Sequence, residues 1–191
     1  MKISIITPTV QRDSIQDLEH SLLSQTFKDW EWIIQVDCET VKTDLLSYYS
    51  SSCQVNIGCC GVKHNNAGNT CRHIAWERAT GDWVLGIDDD NTLCSERSLE
   101  ILANSLNKVD TPWVLVPMFR FGDIFLNDPP GLCQTDTANM VIRREIARWP
   151  TIPDYTADGI LADTLRKSYP YTVLRDIEPV VFMDTMNRGE R

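Results

Sequence analysis

Short apolar runs separated by stretches of helical spacing organise the first two-thirds of the chain. Ile3-Ser4-Ile5-Ile6 is a β-branched run closed by Thr7-Pro8-Thr9, the pattern of a buried strand entering a loop. Ser14-Ile15-Gln16-Asp17 has the form of a capping box. Ile15, Leu18, Leu22 and Leu23 follow on one helical face, predicting a helix that ends near Thr26. Trp32–Val36 predicts a second strand stopping at Asp37, and Cys53–Cys59 a third, with a polar, helix-like stretch over Leu45–Ser50 between them. Asn66-Ala67-Gly68-Asn69 reads as a loop opening a helix that carries Arg72, Ile74, Ala75 and Ala79, with Gly81 as its C-terminal stop. Trp83–Ile87 is a fourth strand and runs directly into Asp88-Asp89-Asp90. Ser95 starts the next helix, with Leu99, Leu102, Ala103 and Leu106 inward.

The remainder is less regular. Trp113–Phe121 reads as a strand, residues 122–135 as a long loop and Ala138–Ile142 as another strand. Thr156 is expected to cap a helix bearing Ile160, Leu161, Thr164 and Leu165, and two short strands split by Pro179 lie within Tyr171–Phe182. Strands alternating with crossover helices predict an α/β fold: a mostly parallel central sheet with helices on both faces, and a small mixed sheet toward the C-terminus. The chain has 191 residues, which suits one core and therefore one domain. Ligands of such sheets bind beyond the carboxyl ends of the strands. Thr7-Pro8-Thr9, Asp37 and the aspartate triplet all follow strands, so the pattern alone brings them to one edge.

Charge narrows the chemistry. A formal net charge of −9 argues against a nucleic-acid binder, which needs a basic face. Three successive carboxylates repel one another unless a cation neutralises them, and hard divalent cations such as Mn²⁺ or Mg²⁺ prefer oxygen ligands. Strand alternation would turn Asp88 and Asp90 one way and Asp89 the other; the competing reading is a solvated acidic turn before the next helix. The amides of Asn66–Asn69, with Arg72 one turn on, suit a phosphate or ribose. Asp37 is placed either to accept from a base or ribose or to cap a turn. Asp154, Asp158 and Asp163 surround the late helix, where Asp158 serves either as a general base or as a partner of the helix dipole. The seven cysteines (38, 53, 59, 60, 71, 94 and 133) contain no CxxC pair, so they read as reduced structural thiols, with neither a zinc site nor a disulfide framework. No apolar stretch is long enough to cross a bilayer and the start lacks a signal peptide's pattern, which gives a cytoplasmic expectation.

Taken together, the segments ISIITPTVQR, SLLSQTFKDWEWIIQVDC, NAGNTCRHIAWERATGDWVLGIDDDNTL and, more weakly, TANMVIRREI with TADGILADTL resemble glycosyltransferase family 2, inverting enzymes of the Rossmann-like GT-A fold. The resemblance covers most of residues 2–166 in order. It implies a donor-binding half (1–93) and an acceptor-binding, catalytic half (94–191). Thr7, Pro8, Thr9 and Asp37 would line the nucleotide pocket, with Arg12 also on the donor. Asn66, Gly68 and Arg72 would lie beside the nucleoside or its phosphates. Asp88 and Asp89 would contact the donor, and Asp90 with Asp88 would hold Mn²⁺ or Mg²⁺. Asp158 would be the catalytic base, deprotonating the hydroxyl of an acceptor that attacks a nucleotide sugar, with UDP the leading nucleotide. The chain departs from the family at Val36-Asp37-Cys38-Glu39, where two aspartates before Gly-Ser are usual. It has no histidine after His73, so Asp184, Asn187 or a water would stand in for a late metal ligand. Two alternatives remain: a catalytically silent sugar-nucleotide or carbohydrate-binding module, and a sugar-phosphate nucleotidyltransferase, against which the lack of a GxGTR-like loop counts.

Overall fold

The computed structural model describes residues 1–42, 54–146 and 148–183. The expected helix over Leu45–Ser50, Cys53, Asp184 and Asn187 lie outside the described residues. The apolar runs form β1 (Ile3–Thr9), β2 (Trp30–Val36), β3 (Val55–Cys59) and β4 (Trp83–Gly86), followed later by β6 (Trp113–Leu115), β9 (Met140–Arg143) and β10 (Tyr171–Val173). These seven strands make one sheet in the order β10-β6-β9-β4-β1-β2-β3. Only β9 runs against its neighbours, pairing antiparallel with both β4 and β6. A second sheet joins β5 (Asn91–Leu93), β11 (Val181–Met183), β7 (Met118–Arg120) and β8 (Asp123–Phe125).

Side-chain alternation in the large sheet separates two cores. Ile3, Ile5, Trp32, Ile34, Leu85, Val114 and Val141 face one side with Leu18 and Leu22 of α1 (Ile15–Leu23) and Leu99 and Leu102 of α3 (Ser98–Leu106). Ile6, Ile33, Val84, Trp113, Leu115 and Ile142 face the other with Ala75 and Trp76 of α2 (Asn69–Arg78) and Leu161 and Leu165 of α4 (Ala157–Ser168). The central strands are thus buried on both faces, which is why they read as mostly apolar runs.

Several expectations are corrected. Ser14 adopts helical angles (φ −55°, ψ −22°) and its hydroxyl caps nothing, so the capping box does not form; an N-cap needs extended backbone to aim its oxygen at the first amides. Leu23 is exposed, on the flank of the α1 stripe. α2 stops at Ala79, in extended backbone, and Gly81 does not take the left-handed conformation of a helix stop. Instead a Cβ at Gly81 would meet Ser4 Oγ and the Lys2 carbonyl at 2.7–2.8 Å. α3 begins at Ser98, and the Ser95 amide donates to Ser98 Oγ ahead of it. Thr156 precedes α4 without a side-chain cap bond, and Ile160 sits on the exposed face of that helix.

The single strand expected over Trp113–Phe121 is two strands in different sheets, β6 and β7. Pro117 lies between them and has no amide for a ladder, so the chain leaves one sheet and enters the other. The loop expected over 122–135 begins with β8, paired antiparallel with β7. Phe121 and Gly122 make the two-residue turn, both at positive φ (55° and 84°), as a hairpin of this twist requires.

Candidate functional site

The carboxyl ends of β1, β2 and β4 lie side by side, since β1 pairs parallel with both neighbours. Thr7 and Thr9 alternate onto one face, but their hydroxyls differ in use. Thr7 Oγ1 accepts from the Trp32 indole at 2.9 Å and is fully buried, so it fixes the strand end from within. Thr9 Oγ1 donates to Asp89 at 2.6 Å and accepts the Gln11 amide at 2.8 Å. Pro8 packs under Gly68, where a Cβ would approach the proline ring at 2.9 Å.

The triplet does not follow strand alternation, because β4 ends at Gly86 and Asp88–Asp90 form a turn closed by the Asn91 amide on the Asp88 carbonyl at 3.0 Å. The tertiary contacts sort the carboxylates. Asp89 is buried between Thr9 and Arg12, whose guanidinium reaches it at 2.9 Å and Asp90 at 3.4 Å, so Asp89 and Asp90 face the same cation. Asp88 turns to Arg72 and forms an ion pair with it. Burial pushes Asp89 up to about 6, opposed by the Thr9 hydrogen bond and Arg12. The donor set is all carboxylate oxygen, with Asp88 and Asp90 side chains one-third and one-quarter exposed. That chemistry fits a hard divalent cation.

Arg72 is the hub on the other side. Its guanidinium donates to the Ala67 carbonyl at 2.6 Å and to Asp88, and lies 5.3 Å from the centre of the Trp149 ring. Burial of a guanidinium to 6% exposure needs such pairing. The loop before α2 makes it possible. Asn65, Ala67 and Gly68 all take positive φ (52°, 56° and 74°), and Asn66 braces the turn by donating to Thr70 Oγ1 at 2.7 Å. Any side chain at Gly68 would press on Pro8 and on Arg72, whose Nη1 would lie 3.1 Å from a Cβ.

Asp158 stands in the first turn of α4 and accepts the Gly159 amide at 2.7 Å. Burial, reinforced by the negative charges of Asp136 and Asp88, pushes it up to about 6 against the Gly159 hydrogen bond and Arg72. A carboxylate of this kind accepts a proton near neutrality. Asp154 is exposed and held low by Thr156, and Asp163 is paired with Arg166 and Lys167 on the surface. The base candidate of this helix is therefore Asp158.

Asp136 and Arg120 also belong to this site and were missed in the sequence. Asp136 accepts the Ala138 amide at 3.1 Å, lies 3.8 Å from Arg120, and is pushed up first by burial and then by the charge of Asp88. Its one sequence signal is the box it forms with Asn139 around the short 3-10 turn Thr137–Asn139.

Asp37 realises its turn-capping alternative. Its two oxygens accept the amides of His64 at 2.8 Å and Asn65 at 3.3 Å. An oxygen of Asp37, the Cys60 sulfur and a ring nitrogen of His64 lie within 4.8 Å of one another, a grouping that no CxxC spacing announces. The six cysteines among the described residues are free thiols. No helix of the described residues is long and apolar enough to cross a membrane.

Comparison with known proteins places this geometry. TuaG of Bacillus subtilis, named as a glycosyltransferase of teichuronic acid biosynthesis, is 37% identical over 91 residues, 47% of this chain and 36% of that protein. S. aureus TarS, solved in complex with UDP-GlcNAc, superposes with a TM-score of 0.75 at 19% identity over 95% of this chain and 58% of its own. The mannosyltransferase PcManGT of Pyrobaculum calidifontis, solved with GDP-Man and Mn²⁺, gives 0.73 at 16% identity over 98% of this chain and 58% of its own. The chain spans only 36–51% of the length of the curated relatives it matches. The structural likenesses establish the GT-A fold, and the family model for glycosyl transferase family 2 matches residues 4–163. With a match that runs from β1 into α4, this chain belongs to glycosyl transferase family 2.

Proposed function

We propose that the protein transfers a sugar from a nucleoside-diphosphate sugar to an acceptor hydroxyl, with inversion at the anomeric carbon. The observation that carries this reading is the union of Arg72, Asp88, Asp136 and Asp158 in one electrostatic neighbourhood at the sheet edge, with Asp158 raised to about 6. Asp158 takes the acceptor proton, the hydroxyl oxygen bonds to the anomeric carbon, and the bond to the diphosphate breaks with its electron pair leaving on the nucleotide. Arg72, with Gly68 and Asn66 shaping its loop, and Arg12 supply fixed positive charge for the donor phosphates. Pro8, Thr9, Asp37 and Asp89 form the wall of the donor pocket; Thr7 supports that wall through Trp32. Asp88 and Asp90 would hold a Mn²⁺ or Mg²⁺ ion, which would supply further charge stabilisation for the leaving diphosphate.

UDP is the favoured nucleotide, since the TarS complex contains UDP-GlcNAc, while the GDP-Man complex of PcManGT makes GDP the alternative. In this reading, residues 1–93 bind the donor and residues 94–191 the acceptor within one domain. The compartment is the cytoplasm, where free thiols stay reduced.

Calorimetric titration of UDP, GDP and dTDP, with and without Mn²⁺, tests the donor site. Metal-dependent binding of one nucleotide, lost in Asp90→Ala, is the expected result. No binding under any condition would overturn it. Metal-dependent release of free nucleotide from the matching sugar donor then separates a transferase from a silent binding module.

A further inference from the structure

Beside Asp37, which the sugar-transfer reading places in the donor-pocket wall, lie two thiols and an imidazole that this reading does not use. Asp37 ends β2, Cys60 follows β3, His64 lies four residues further on in the loop, and Cys71 sits in the first turn of α2. The ends of β2 and β3 and the loop that follows therefore bring together one oxygen, one sulfur and one nitrogen, and the start of α2 sets a second sulfur against the first. The Asp37, Cys60 and His64 ligand atoms fall within 4.8 Å of one another, and the Cys71 sulfur lies 3.2 Å from that of Cys60. That sulfur separation is well beyond the ~2.05 Å of a disulfide. A tetrahedral Zn²⁺ with bonds of about 2.0–2.3 Å holds its ligand atoms roughly 3.3–3.8 Å apart. The trio need close by about 1–1.5 Å at most to reach this geometry, while Cys71, outside the trio and against Cys60, must turn toward its centre to become the fourth ligand.

The cluster is also organised as such a site requires. Asp37 is 5% exposed, and its carboxylate is held in place by the His64 and Asn65 amides, the outer-shell support that orients a ligating carboxylate. Gln35 Nε2 approaches Cys60 Sγ at 3.5 Å from the strand below. Cys71 closes the rear and is fully buried, while His64 is exposed and gives a way in. Two sulfurs and an imidazole suit a borderline-soft ion, in contrast to the oxygen-only set of Asp88 and Asp90.

We propose that Asp37, Cys60, His64 and Cys71 form a binding site for a thiophilic divalent cation of the Zn²⁺ type, clipping the 60–66 loop to the end of β2. The site is separate from the hard-cation site of the aspartate triplet. It shares Asp37 with the donor-pocket wall of the sugar-transfer reading, but the two fail separately, since the Co²⁺ titration needs no nucleotide and the nucleotide titration needs no thiophilic ion.

Anaerobic titration of the reduced protein with Co²⁺ tests the assignment. A stoichiometric amount of Co²⁺ should produce a thiolate-to-cobalt charge-transfer band in the near ultraviolet, and Zn²⁺ should abolish it by displacement. The band should vanish in Cys60→Ser and fall to about half in Cys71→Ser, which keeps one thiolate. His64→Ala, an exposed position whose backbone amide still reaches Asp37, should weaken Co²⁺ binding by about tenfold or more. It also serves if either cysteine variant fails to fold. No band in the native protein, a band unchanged in Cys60→Ser, or unchanged affinity in His64→Ala would each overturn the site.

Discussion

Asp158→Asn should make the protein more stable and far less active, and the stability gain should depend on pH. The native structure raises this carboxyl from 3.8 to about 6, chiefly by burial. Taken whole, that difference is about 3 kcal/mol of ionisation free energy at ~1.36 kcal/mol per pH unit. Partial exposure at the start of α4 lets water screen the charge, which brings the effect to about 1–2 kcal/mol. The sign follows from linkage. A group whose folded value is raised contributes fully below its unfolded value and loses that contribution as pH rises through the folded one. The wild type therefore loses stability between about pH 4 and 6–7, relative to an asparagine that never ionises. The substituted amide retains an oxygen to accept the Gly159 amide, so the local hydrogen bond survives the change.

Thermal unfolding of both proteins at pH 4 and pH 8 reads this directly. The melting temperatures should nearly coincide at pH 4 and differ by roughly 2–8 °C at pH 8, the variant higher. Initial rates of sugar transfer should fall by about 10²-fold or more in the variant, and the wild-type rate should rise with pH through about 6. A variant that transfers at the native rate would refute the base assignment. One that is less stable at pH 8 would refute the argument from burial.

Four further outcomes check other parts of the site. Arg72→Lys should weaken nucleotide binding by about tenfold or more, since an ammonium cannot bridge Asp88 and the Ala67 carbonyl as the planar fork does; calorimetry decides. Gly68→Ala should weaken donor binding with Arg72 intact and cost about 1–2 kcal/mol by strain at positive φ and pressure on Pro8, measured by nucleotide titration and urea unfolding. Thr7→Val should cost about 1–3 kcal/mol by removing the hydroxyl that accepts the buried Trp32 indole N–H, while nucleotide affinity changes little. Asp90→Ala should abolish Mn²⁺ stimulation of transfer yet leave the fold intact by circular dichroism, because Asp89 carries the closer contact to Arg12.

By itself the sequence determined the layered α/β architecture and the sheet edge that carries the site. β1, β2 and β4 are buried on both faces, so burial wrote them as mostly apolar runs, and the polar residues inside them, such as Ser4 and Glu31, are hydrogen-bonded to each other. It also marked Asp88–Asp90, Arg72 and Asp158, because charge at a strand end or in a helix's first turn is a local pattern. Where local geometry competed, the pattern misled. Ser14 has a cap's identity but helical backbone, and Pro117 divides one apolar run between two sheets.

The tertiary structure alone decided which charge meets which. Thr9 reaches Asp89 across 80 positions of sequence, Arg72 takes Asp88 while Arg12 takes Asp89, and Asp136 arrives beside Asp158 from a separate loop. Cys60 and His64 likewise converge on Asp37, with Cys71 against Cys60, without any spacing that signals a ligand set. The physical reason is range. Burial and helix or strand periodicity act on neighbours in the chain and leave a repeating trace there. Electrostatic pairing and metal ligation act on neighbours in space, and no sequence period records which side chains at that edge will meet.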